Sequence, residues 1–166
     1  DDCDISTVKY WNFTWSDFYR SRPYAYDVIQ LAVINPAQVH LKMHRRFVND
    51  FSTACYLITR HHAQKLVDLH CRGEKYKLDQ NVKPRAVADD LVYNSGLSYA
   101  CPLFLYKIEL GSSIHDIHVD VFHKSSHDAL WGFWKENAPE MDIDQWKQIF
   151  ELDPYSGTLP PGFENK

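Results

Sequence analysis

Residues 26–34 read Tyr26-Asp27-Val28-Ile29-Gln30-Leu31-Ala32-Val33-Ile34, almost continuously apolar and rich in β-branched side chains. That is the pattern of a strand covered on both faces, the kind found inside a layered α/β sheet rather than at a half-solvated edge. Asn35-Pro36 closes it with a turn signal. A second buried strand is expected over residues 52–59 (STACYLIT), and Thr59 is placed to cap a helix in which Ala63, Leu66, Val67 and His70 recur at helical spacing. Upstream, Thr14 can cap a short helix through Arg20, with Trp15, Phe18 and Tyr19 on one side and Pro23 beyond its end.

The polar, basic stretch 37–50 reads as a loop or short hairpin, and 72–86 as charged and irregular. Asp89 to Asn94 reads as a short helix with acids at its start, where the helix dipole favours them, and Gly96 follows it. Ser98 to Ile108 is extended, although Pro102 points to an edge strand or a bend. A helix carrying Trp131 and Trp134 comes after the His- and Ser-rich segment 111–128, and the Pro/Gly-rich tail 153–166 reads as irregular. Strands alternating with helices predict an α/β layered domain over residues 1–152, its sheet mostly parallel and flanked by helices.

Composition narrows the function classes. The chain has 166 residues, enough for one domain with a real core, and its 24% charged and 45% hydrophobic residues are those of an ordinary globular protein. A net charge of −4 argues against non-specific nucleic-acid binding. No apolar run approaches the ~20 residues of a membrane span, and no secretory leader is visible. Four scattered cysteines without a CxxC pair point to a reducing, cytoplasmic setting.

Three groups of residues can carry chemistry. Asp1, Asp2 and Asp4 are spaced to share one hard divalent cation at a strand end, where the ion would bridge phosphate oxygens; a solvated acidic terminus explains them about as well. Asp89 and Asp90, flanked by apolar residues in VADDLVY, offer a partly desolvated carboxylate able to accept a proton from a hydroxyl nucleophile. Helix capping by one of them is the competing reading. His115, His118, His123 and His127 crowd one stretch, but no H-E-x-x-H is present. The basic run 42–46 and Arg60-His61-His62 can hold a diphosphate. No Gly-rich phosphate loop and no G-x-S-x-G elbow occurs.

Taken in order, the acidic Asp-rich motif, the aromatic helix, YDVIQL, TACYLITRHHAQKLV, ADDLVY and YACPLF resemble the C-terminal half of GT-A-type glycosyltransferases. The nearest resemblance is to the lipopolysaccharide glycosyltransferase family, whose galactosyltransferases decorate lipopolysaccharide and collagen. The resemblance covers roughly residues 1–115. It implies a partial GT-A fold and transfer of a sugar from a nucleotide-sugar donor to a hydroxyl on a glycan or other acceptor. It also implies an upstream nucleotide-binding part. By analogy Asp2-Cys3-Asp4 is the Asp-x-Asp motif that binds donor and Mn²⁺ (or Mg²⁺), with Arg60 on the donor and His115 or His118 completing the metal site. Asp89 or Asp90 is then the base if the enzyme inverts. Trp11, Trp15 and Tyr99 are candidate sugar-stacking surfaces. Two rivals are a non-catalytic carbohydrate-binding or interaction module derived from such an enzyme, and a metal hydrolase built on the histidine cluster.

Overall fold

A computed structural model describes residues 2–35, 37–76, 87–108 and 123–152. The strands are β1 (Cys3–Asp4), β2 (Val28–Ala32), β3 (His44–Arg45), β4 (Tyr56–Ile58), β5 (Cys71–Arg72), β6 (Lys75–Tyr76) and β7 (Ser98–Tyr106). The helices are α1 (Trp15–Ser21), α2 (Arg60–His70), α3 (Ala88–Tyr93), α4 (Lys124–Glu136) and α5 (Ile143–Phe150). Short 3-10 turns occupy Ser6–Tyr10 and Ala138–Glu140.

The expected α/β layering is present. Five strands form one sheet in the order β1-β7-β2-β4, with β3 also on β7, and β5–β6 make a separate hairpin. The sheet is mixed. Its central pair, β2 beside β7, is parallel, with Val28 opposite Ser98 and Gln30 opposite Ala100. By contrast β1, β3 and β4 run antiparallel to their partners. All five residues of β2 are buried, as the uninterrupted apolar run requires.

Of the two outcomes that Pro102 predicts, an edge strand or a bend, β7 shows the second: it is a central strand with an irregularity at the proline. The β2–β7 register shifts between Gln30 and Ala32, from Ala100 to Phe104. Pro102 falls inside that irregularity, where its missing N–H withdraws nothing from the paired ladder. Within the stretch 72–86, expected to be irregular, the first residues, 72–76, turn back with Cys71 as the β5–β6 hairpin through Gly73 at φ +63°. Residues 77–86 and the tail 153–166 lie outside the described residues.

The caps act as the sequence suggests. Thr14 accepts from the Asp17 N–H while the Asp17 carboxylate accepts from the Thr14 N–H, a reciprocal capping box for α1. Thr59 accepts from the His62 N–H to start α2. Helix α5 has no counterpart in the sequence reading. Asp142 and Gln145 form a second capping box ahead of it, and its buried Trp146 and Phe150 face the core. Trp134 of α4 stacks on Trp146 at 5.1 Å between ring centroids, and Phe13 and Phe18 meet the Phe150 ring at 4.8 and 5.2 Å. This aromatic block closes one side of the sheet over Leu103 and Leu105. No helix among the described residues is long and apolar enough to cross a membrane.

Close approach also fixes the turn before β7. A Cβ added at Gly96 would lie 2.7 Å from Asp27 Oδ2 and from His62 Cε1. Asp27 accepts there from the Leu97 N–H at 2.8 Å, and the Asp27 N–H donates to the Leu97 carbonyl, also at 2.8 Å. Gly96→Ala must therefore push apart the contact that sets the β2–β7 register. We expect it to cost about 1–3 kcal/mol, read as a lowered midpoint in thermal denaturation followed by circular dichroism.

Candidate functional site

Parallel strands bring their carboxyl ends to the same side, and the acidic motif sits there. β1 is held on the last residues of β7, with Cys3 opposite Tyr106 and Asp4 opposite Leu105, and the Asp2 carbonyl extends the ladder by accepting from the Lys107 N–H at 2.9 Å. Alternation along a strand sends Asp2 and Asp4 to one face and Cys3 to the other. Asp2 is exposed and Asp4 half-buried; one Asp4 oxygen accepts from the Ser6 N–H at 2.7 Å, leaving the second oxygen without a partner among the described residues. A hard cation that takes one or two protein carboxylates and completes its shell with phosphate oxygens and water fits this pair.

Cys3, on the opposite face, points to the turn 52–55. Its thiol and that of Cys55 are near enough for each to act on the other's ionisation. Burial raises the pKa of both thiols, with Cys55 pushed up to about 12. The Cys55 carbonyl accepts from the N–H groups of Leu31 and Ala32 at the carboxyl end of β2, which fixes the turn to the sheet.

Ser52 begins that turn in a conformation non-glycine residues seldom adopt, φ 98°. Three side chains hold its backbone. Its N–H donates to Asp89 Oδ1 at 2.5 Å, and its carbonyl accepts from the Tyr93 hydroxyl at 2.7 Å and from Gln30 Nε2 at 2.9 Å. Strain of this kind costs of order 1–3 kcal/mol and persists only where the surroundings over-determine it. Burial, with Asp89 adding its negative charge, drives the Tyr93 phenol well above its ordinary pKa, so it stays a donor.

The two neighbouring acids of α3 part company. Asp89 is half-buried and bound to Ser52, whereas Asp90 is 1% exposed and accepts from Asn94 Nδ2 at 3.0 Å. Asn94 in turn accepts from Arg46 Nη1 at 3.0 Å, and the Arg46 guanidinium lies over the Tyr93 ring at 4.5 Å. Of the pair, Asp89 alone is open to a reactant.

Other expected site residues lie elsewhere. Arg60 is exposed in the first turn of α2, with no hydrogen bond or ion pair to the acidic motif among the described residues. Its neighbour His61 lines a cavity of about 340 Å³ with Gln64, Lys65, Asp68 and Leu69, and none of Asp2, Asp4, Asp89 and Asp90 is part of that lining. His115 and His118 lie outside the described residues, and among the described residues no three His, Cys, Asp or Glu side chains gather as a metal site. Of the stacking candidates, Tyr99 is buried and Trp11 is stacked on Phe13 at 4.7 Å; Trp15, 40% exposed, still presents a face.

Within the basic run 42–46, Lys42 is exposed and Arg45 and Arg46 are half-buried, but His44 does not face solvent. His44 and Asp50 are buried and paired, Nε2 to Oδ2 at 3.1 Å. The second His44 nitrogen meets the Lys42 carbonyl at 2.6 Å. Asp50 also accepts from Asn35 Nδ2 at 2.9 Å and from the Phe47 N–H at 2.8 Å, and the Asn35 backbone exchanges hydrogen bonds with the Ser126 hydroxyl of α4. The sequence signal was thin: a histidine and an aspartate six residues apart inside a polar stretch.

No family model matches the chain, and no curated protein or solved structure matches it either.

Burial works to raise the Asp50 pKa, but the hydrogen bond and charge of His44, with Asn35 and the Phe47 N–H, hold it below the usual carboxylate value. The folded pKa thus lies below the unfolded value of about 3.9. The stabilisation is complete above that pH and is lost as pH falls towards and through the folded value. Asp50→Asn should cost about 3 kcal/mol at neutral pH and flatten the acid limb of a urea-denaturation stability profile.

Proposed function

We propose that the chain is the metal-dependent catalytic and acceptor-binding portion of a GT-A-type glycosyltransferase, resembling the lipopolysaccharide and collagen galactosyltransferase-like family. One observation supports this above the rest: two acidic groups far apart in sequence converge on the single turn 52–55. Asp89 reaches it through the Ser52 N–H, and the Asp2–Asp4 strand reaches it through Cys3 and Cys55. That turn lies at the carboxyl end of a parallel strand pair, the side on which open α/β sheets bind ligands.

In this reading Asp2 and Asp4 hold Mn²⁺ (or Mg²⁺) and, with it, the diphosphate of the nucleotide-sugar donor. The ion, when bound, neutralises charge that develops on the departing nucleoside diphosphate. Asp89 accepts the proton of the acceptor hydroxyl as that oxygen attacks the anomeric carbon, which makes the transfer inverting. Asp90 acts at one remove, tying α3 to Asn94 and Arg46 so that Asp89 keeps its place. Trp15 offers an apolar face on which a sugar ring of the acceptor can stack. The free cysteines suit a cytoplasmic enzyme.

A non-catalytic carbohydrate-binding module is the alternative, favoured by one feature: Asp89 already spends one oxygen on Ser52. Calorimetry with a panel of nucleotide sugars, with and without Mn²⁺, separates the two. We expect metal-dependent binding of one donor, abolished in Asp2→Asn and Asp4→Asn. Asp89→Asn should keep donor affinity yet lose about 10²–10⁴-fold in turnover. Retained glycan affinity in all three variants, with no metal-dependent donor binding in the parent chain, would mean a binding module.

A further inference from the structure

We infer that the flank of α1 bearing Trp15, Tyr19 and Arg22 binds an acidic saccharide, a sugar chain carrying a carboxylate or phosphate group. The inference rests on the glycan-binding reading above, in its catalytic or its non-catalytic form, and names the class of glycan.

The helix supplies the platform. Trp15, Tyr19 and the capping residue Arg22 recur at helical spacing, which sets them along one face of α1. At a rise of about 1.5 Å per residue the stripe runs roughly 10 Å. Trp15 is 40% and Tyr19 43% exposed, whereas Phe18, the other large apolar residue of this short helix, is fully buried. Exposed indole and phenol rings offer apolar faces to the C–H side of a pyranose.

Arg22 decides the charge of the ligand. Its guanidinium lies over the Tyr19 ring at 3.6 Å and over the Tyr26 ring at 5.5 Å, and Nη1 donates to the Tyr19 carbonyl. These contacts hold the planar fork in place and use one of its five donors. Nε is buried with no hydrogen-bond partner, and no carboxylate pairs with Arg22 among the described residues. The acid of α1, Asp17, is engaged at the amino end, where it accepts from the Thr14 N–H and hydroxyl. Exposed Arg20 adds a second positive charge to the same helix. A guanidinium fixed between two rings and lacking a counter-charge suits a carboxylate or phosphate, which it meets with paired hydrogen bonds. A sugar seated on Trp15 and Tyr19 brings its acid group to that fork. Nucleic acid, the other polyanion with stacking rings, is disfavoured by the net charge of −4.

The test titrates the full, isotope-labelled chain with cellobiose, cellobiouronic acid, cellobiose phosphate and a tetraglutamate peptide, following the indole N–H signals by NMR. Both acidic disaccharides should move the Trp15 signal and bind about tenfold or more tighter than cellobiose; the tighter of the two names the acid group. Arg22→Gln should bring them down to the level of cellobiose. Arg22→Lys should recover only part of the loss, because an ammonium cannot form the fork. Trp15→Ala should weaken all three sugars alike. Equal binding of neutral and acidic disaccharides, or a preference that survives Arg22→Gln, would overturn the inference and leave glycan binding intact. A peptide bound as tightly as the acidic sugars would overturn it by making the surface a protein-docking one. If no disaccharide binds, the inference fails, and the metal-dependent donor titration decides the transferase reading separately. Should Arg22→Gln unfold the chain, the parent's preference for acid over cellobiose, and its loss as salt rises, decides alone.

Discussion

Parallel pairing of β2 with β7 is the constraint from which the rest of the molecule follows. Parallel strands cannot be joined by a tight turn, so the chain must travel from Ala32 to Ser98 before the pair can close. That excursion contains β3, β4, α2 and α3. The pair is locked at its amino end by Asp27 and Leu97, which exchange hydrogen bonds beside Gly96. At its carboxyl end the strands leave open the corner where β1 docks and where Cys55 caps β2. Nothing in the short strand β1 would hold it in place by itself; it is ordered because β7 offers it a register.

Around that corner the polar groups divide into two sets. Gln30, Tyr93 and Asp89 spend their hydrogen bonds on the backbone of Ser52. Asn35, Asp50 and His44 instead stitch the segment after β2 to the helix α4, through Ser126. Both sets are buried or nearly so, and a buried polar network is favourable only when its members are satisfied. The first set holds a strained backbone beside the acidic residues. The second holds the loop from which Arg46 reaches Asn94.

Much of the fold was legible in the sequence because the signals were local. The apolar run 28–34 announces a doubly covered strand, and Thr14 and Thr59 announce helix starts by side-chain chemistry that acts within three residues. Pro102 left an edge and a bend open, because proline reports on its own N–H and does not say whether a strand end or a bulge removes the need for it. The pattern Asp142-x-x-Gln145 with Ile143, Trp146 and Phe150 was present but short, and its burial depends on the distant rings of Phe13, Phe18 and Trp134. The candidate site was legible in its residue types and not in their roles. Asp89 and Asp90 are adjacent in sequence, and which one faces inward is decided by Asn94 and Arg46, the latter more than forty positions away. His44 and Asp50 looked solvated because their pairing is set by the fold around them.

The order in which the chain emerges during synthesis gives the β1–β7 pairing a kinetic meaning. The Thr7 hydroxyl donates to the Leu103 carbonyl across 96 positions, and the Ser126 hydroxyl meets Asn35 across 91. Until β7 has left the ribosome, the acidic strand has no partner, its carboxylates sit on unpaired chain, and the apolar run of β2 lacks its central neighbour. Folding dominated by such distant contacts is slow, and an unpaired, apolar strand waiting in solution is a template for association with other chains.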